Sequence, residues 1–74
     1  MNRPIPEITE LVSLRRMFRV SQESVALAMD SDQKEVSRLE IGSVDPRWST
    51  IQRYREAVMA EIARLGGSLT TAMT

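Results

Sequence analysis

The chain of 74 residues contains no cysteine and no histidine. These two absences together exclude disulfides, thiol nucleophiles, Cys/His zinc sites and imidazole acid–base catalysis, and a chain without cysteine suits a reducing compartment. No cofactor and no metal are expected. No phosphate-binding glycine loop is present and the carboxylates read as helix caps and surface charge, so no catalytic residue stands out and an enzyme is the least supported class. Long hydrophobic runs are also missing. Nothing approaches the roughly 18 apolar residues of a membrane span, and Met1 to Glu7 lacks the apolar stretch of a signal peptide, so a cytoplasmic protein without membrane contact is expected. Finally there is no excess of either charge: ten Lys and Arg balance ten Asp and Glu. Strong non-specific attraction to a polyanion is therefore not expected, although nine of the ten cations are arginine and they cluster at Arg15, Arg16, Arg19 and at Arg47, Arg53, Arg55.

What is present is helical periodicity. A chain of this length holds one domain with one core. Pro4 and Pro6 predict irregular backbone before Glu7, after which Ile8, Leu11, Val12, Leu14 and Phe18 form an apolar stripe for a first helix from about Glu7 to Phe18. Ser21 is the expected N-cap of a second helix ending near Met29, and Asp30 tolerates a left-handed turn. Asp32, followed three residues later by Glu35, opens a third helix that Gly42 closes. Ser43 to Trp48, with Pro46, is a loop. The spacing Ser49-Thr50-Ile51-Gln52 predicts a second capping box, and Ile51, Tyr54, Val58, Ile62 and Leu65 predict a long last helix from about Thr50 to Leu65. Gly66-Gly67 is expected to end it, leaving residues 66–74 as a short polar tail, either disordered or paired as a strand in a dimer. The expected fold is all-α, with four helices.

Within residues 20 to 42, Val25, Ala26, Met29, Val36 and Leu39 are separated by helical steps with a break at Asp30-Ser31-Asp32, the pattern of a helix-turn-helix at about residues 21–41. Leu14-Arg15, Val20-Ser21-Gln22, Val25-Ala26, Met29, Val36-Ser37, Glu40, Gly42, Pro46 and Ile51 together resemble the Cro/C1-type (XRE-like) DNA-binding family, in a register that covers most of the chain without a gap. That family commonly has glycine where this chain has Arg19 and Asp30, which predicts two slightly strained turns.

The resemblance implies roles residue by residue. The third helix is similar to a recognition helix, with Gln33 and Lys34 facing base edges and Ser37 and Arg38 one turn further on. Glutamine can bond adenine in a bidentate way, and lysine or arginine can donate to guanine. Away from this motif the same four residues would read as a solvated helix face. Gln22, Ser43 and Arg47 are the implied contacts to the DNA backbone, with Ser43 the weaker of them. Trp48 lies in the same loop, but a lone tryptophan in a small domain is more often a lid on the core. Arg15 and Glu40 match a structural ion pair between the first and third helices.

A domain this small reads few base pairs, so the family resemblance implies a homodimer on an inverted-repeat DNA operator. Ala57, Met59, Ala60 and Ala63 lie outside the main stripe of the last helix, and Met59, Ile62 and Ala63 are the expected dimer contacts. The segment Asp45-Pro46-Arg47-Trp48-Ser49-Thr50-Ile51-Gln52-Arg53-Tyr54, followed by Glu56-Ala57, resembles HigA-type antitoxins, which adds a toxin protein as a partner under that reading. The expected function is a dimeric repressor of phage, plasmid or toxin–antitoxin type. The alternative is a protein-interaction module that has the fold without DNA binding, for which the neutral charge is the main support.

Overall fold

The computed structural model describes residues 5–73, with side-chain burial up to residue 65. All its regular structure is helical: α1 (Pro6–Met17), α2 (Gln22–Ala28), α3 (Gln33–Ile41) and α4 (Trp48–Met73). No strand occurs among the described residues. Nor is any described helix long and apolar enough to cross a membrane.

Proline does not delay α1, as its usual effect would suggest. Pro6 occupies the first turn, where its missing N–H and fixed φ cost nothing, and Ile5 is the N-cap. Ser21 caps α2 by accepting from the Ser24 N–H at 3.0 Å, and Asp32 caps α3 by accepting from the Glu35 N–H at 2.8 Å. The Ser49 capping box does not form. The Arg47 carbonyl accepts from the Ile51 N–H at 3.1 Å, so α4 begins before Ser49 can act as a cap.

The ends of α1, α2 and α3 share one design. After α1 the Arg19 N–H donates to the Arg16 carbonyl and the Val20 N–H to the Arg15 carbonyl; after α2 the Asp30 N–H donates to Leu27 and Ser31 to Ala26; after α3, Gly42 donates to Leu39 and Ser43 to Arg38. Each pair of bonds is a Schellman closure, which needs a left-handed residue at its apex. Those residues are Arg19 (φ 59°), Asp30 (φ 56°) and Gly42 (φ 77°). Only the last is glycine, so the turns that follow α1 and α2 are held in a conformation costing an ordinary residue about 1–2 kcal/mol.

α2 packs on α3 and α4, and α1 packs on α4 and α3. The core is Ile8, Leu11, Val20, Val25, Ala26, Met29, Val36, Leu39, Ile51, Tyr54, Ala57 and Val58. The expected apolar positions of α2 and α3, with Met29 between them, are all buried: Val25, Ala26, Met29, Val36 and Leu39. Phe18 is instead 39 % exposed, because it caps α1 as the chain turns away, and Leu65 is 43 % exposed because α4 has by then passed the body of the domain. Trp48, at 61 % exposed, is no lid on the core.

The predicted end of the last helix at Gly66-Gly67 is also corrected, since α4 continues to Met73. Glycine weakens a helix by about 1 kcal/mol but ends it only where the chain turns left-handed, and no proline follows to block continuation. A strand in residues 66–73 is thereby replaced by helix, and Thr74 lies outside the described residues.

Relief of the left-handed turns should be measurable. Arg19→Gly should raise stability by about 0.5–1 kcal/mol, the turn penalty less the added entropy of an unfolded glycine, and raise the melting midpoint by about 2–8 °C in thermal circular dichroism. Asp30→Gly should gain less, because aspartate tolerates this conformation better than arginine.

Candidate nucleic-acid interface

The site is built around one buried carboxylate. Val36, Leu39 and Glu40 form the inward side of α3, and Glu40 meets α1, α2 and α4 at once. Arg15 of α1 donates from Nε to Oε2 at 2.7 Å and from Nη2 to Oε1 at 2.9 Å, a bidentate pair with planar fit. Its Nη1 donates to the Val20 carbonyl at 2.8 Å, tying the α1–α2 turn to the same guanidinium. The Tyr54 hydroxyl of α4 donates to Oε2 at 2.7 Å, and Gln22 Nε2 of α2 donates to Oε1 at 2.7 Å. The pairing of Arg15 with Glu40 was legible from the resemblance. The contributions of Tyr54 and Gln22 were not, since apolar spacing marks Tyr54 as buried without saying what its hydroxyl meets.

Burial alone would push the Glu40 carboxyl up, but the hydrogen bonds from Arg15, Tyr54 and Gln22 and the charge of Arg15 outweigh it and hold the group below the usual carboxylate range. Burial likewise acts to lower the Arg15 guanidinium and is outweighed by its bonds to Glu40, for a net rise. The Tyr54 phenol is pushed up by burial and by the carboxylate beside it. Among the described residues no buried side-chain polar atom lacks a partner.

Gln22 links this core to the surface. One N–H of its amide donates to Glu40 and its Oε1 accepts from Gln33 Nε2 at 3.4 Å, which leaves one N–H on Gln22, and one N–H and the Oε1 on Gln33. Gln22 therefore has an internal role beside the phosphate contact expected of it. Gln33 and Lys34 are exposed, as is Arg38, and Ser37 is half-buried, so the structure brings Lys34, Ser37 and Arg38 to one side of α3 and places Gln33 at its N-terminal end, in line with Glu40. Arg38 lies 3.6 Å from Glu35, an exposed i,i+3 pair worth at most about 1 kcal/mol and easily exchanged for another anion.

The backbone candidates divide. Both donors of Ser43, its N–H at 3.1 Å and its hydroxyl at 3.2 Å, turn back onto the Arg38 carbonyl, so Ser43 closes α3 and has no donor left for phosphate. Arg47 is exposed and borders a hollow of about 380 Å³ between α3, the following loop and the start of α4. The predicted arginine cluster at 47, 53 and 55 does not form one face. Residues two apart on a helix point away from each other. Arg53 Nη2 donates to the Met29 carbonyl, capping the C-terminal end of α2, while Arg55 borders a groove with Glu7 and Glu10 of α1. The Arg53 cap, which spans 24 residues of sequence, had no local signal. On α4, Met59 and Ala63 are exposed one turn apart, and Ile62 is half-buried against the core.

No protein-family model matches the chain, and neither the curated proteins nor the solved structures contain a match to it.

Loss of one partner in the buried pair should be severe. Arg15→Ala or Glu40→Ala should cost about 3–5 kcal/mol by stranding the other charge, and Tyr54→Phe about 1.5–3 kcal/mol, in urea unfolding. The unfolded Glu40 carboxyl takes up its proton near 4.5 and the folded one only at lower pH. The unfolded state therefore binds more protons in that window, and stability should fall as the pH drops below about 5, with a shallower slope for Glu40→Gln wherever that variant remains folded.

Proposed function

We propose that this chain is a sequence-specific DNA-binding transcriptional regulator, a homodimeric repressor acting on an inverted-repeat operator. The observation that carries this reading is the two-sidedness of α3. Val36, Leu39 and Glu40 fix one side to the rest of the domain, Lys34 and Arg38 stand exposed on the other, and Gln33 is exposed at the N-terminal end of the helix, in line with Glu40. A helix with its side chains is about 10–12 Å across, which suits a major groove about 12 Å wide.

In this reading Gln33 meets a base with its free Oε1 and remaining N–H, a pair that matches the N6 donor and N7 acceptor of adenine. Lys34 donates to guanine, Ser37 and Arg38 act one turn on, and Arg47 engages a phosphate. Met59 and Ala63 offer the surface for a second copy, with Ile62 at its edge, and two-fold symmetry then sets half-sites about 34 Å apart. The helix α4 continues through Gly66-Gly67, and the reading advanced is a repressor without a toxin partner.

The test is titration of the full chain against duplexes selected from a random library, at two salt concentrations. Gln33→Ala and Lys34→Ala should each relax base preference at one position by about 1–3 kcal/mol, and Arg47→Ala should weaken all sequences evenly and reduce the salt slope by about one. Failure to select any sequence at low salt would instead establish the interaction-module reading, which the zero net charge and the 72 % and 75 % exposed Met17 and Leu27 favour.

A further inference from the structure

One residue on the outer side of α3 is neither charged nor polar. Ile41 is 53 % exposed, whereas the other branched apolar residues of this helix, Val36 and Leu39, are buried. At about 100° per residue it stands in line with Lys34 seven positions earlier, and next to Ser37 and Arg38, four and three positions earlier. It lies one residue before Gly42, where the chain turns left-handed, so it is the last side chain in that row. Val44 and Trp48 are also exposed but follow the turn and are not part of the helix face.

An isoleucine at this place covers no part of the core and stands among groups suited to hydrogen bonding. In the major groove the polar base edges are interrupted by one kind of apolar group, the pyrimidine C5-methyl. Resting on the DNA-binding reading above, we propose that Ile41 is a further specificity-determining residue, packing against a pyrimidine C5-methyl two to three base pairs from the base met by Lys34. The spacing follows from seven residues of helix rise, roughly 10 Å, laid along a groove whose base pairs are about 3.4 Å apart. Donors and acceptors cannot distinguish thymine from uracil, because the two bases differ only in this methyl. The contact is therefore readable by itself.

The experiment begins with duplexes selected by the wild-type chain. Each thymine is replaced in turn by deoxyuridine, and each cytosine by 5-methylcytosine, and affinities are measured for wild type, Ile41→Ala and Leu27→Ala. The last variant removes an even more exposed apolar side chain, from α2. Loss of one buried methyl should weaken wild type and Leu27→Ala about three- to fivefold at one thymine per half-site. Ile41→Ala should be indifferent to that replacement. Because Ile41 is exposed, the variant should keep the wild-type melting midpoint. With the T·A pair at that position changed to C·G, a gain of wild-type affinity on methylating that cytosine means that the methyl alone is read, and no gain means that thymine is the source.

A selected sequence whose deoxyuridine response is the same in wild type and Ile41→Ala overturns this proposal and leaves the DNA-binding reading intact. So does an Ile41→Ala variant that changes oligomeric state in sedimentation while keeping the methyl response, which would make Ile41 a subunit contact. If no sequence is selected at all, both readings fall together.

Discussion

The arrangement of the four helices depends on how the carboxylate of Glu40 is satisfied. A charge withdrawn from water costs several kcal/mol unless its lone pairs are met by donors, and here they are met from α1, α2 and α4 together. Apolar packing supplies most of the attraction between these helices, but it is nearly indifferent to small rotations. Hydrogen bonds are not, since they weaken steeply as the angle closes. The carboxylate therefore fixes the roll of α3 about its own axis more tightly than Val36 and Leu39 could, and that roll decides which residues stand outside.

In a chain of zero net charge, few cations are left to stand free around α3. Arg15 is spent inside, Arg53 on the end of α2, and Arg55 lies beside the carboxylates of α1. Lys34, Arg38 and Arg47 remain on the proposed DNA side. For the proposed complex, so few cations imply a modest contribution from counterion release and leave discrimination between sequences to base edges and to the avidity of two copies.

Much of this was readable before the coordinates. The caps Ser21 and Asp32, the left-handed Asp30 and Gly42, and the buried faces of α2 and α3 all follow from interactions within a few residues, where spacing is informative. The errors have an equally local cause. Ser49 and Gln52 have capping-box spacing, but the Arg47 carbonyl had already opened the helix, and Gly66-Gly67 has the composition of a helix end without the left-handed turn that makes one. What spacing could not express were contacts between distant segments: Tyr54 on Glu40, Arg53 on the Met29 carbonyl, and Gln22 turned inward. Each depends on how one helix lies across another. The arginine cluster misled for the same reason, because neighbours in sequence were counted as neighbours in space.

The bond running from Glu40 through Gln22 to Gln33 has a direction. A carboxylate only accepts, so the first amide donates an N–H to it and turns its oxygen outward, and the second amide donates to that oxygen in turn. An anion deep in the domain thereby dictates the polarity of a group at the periphery.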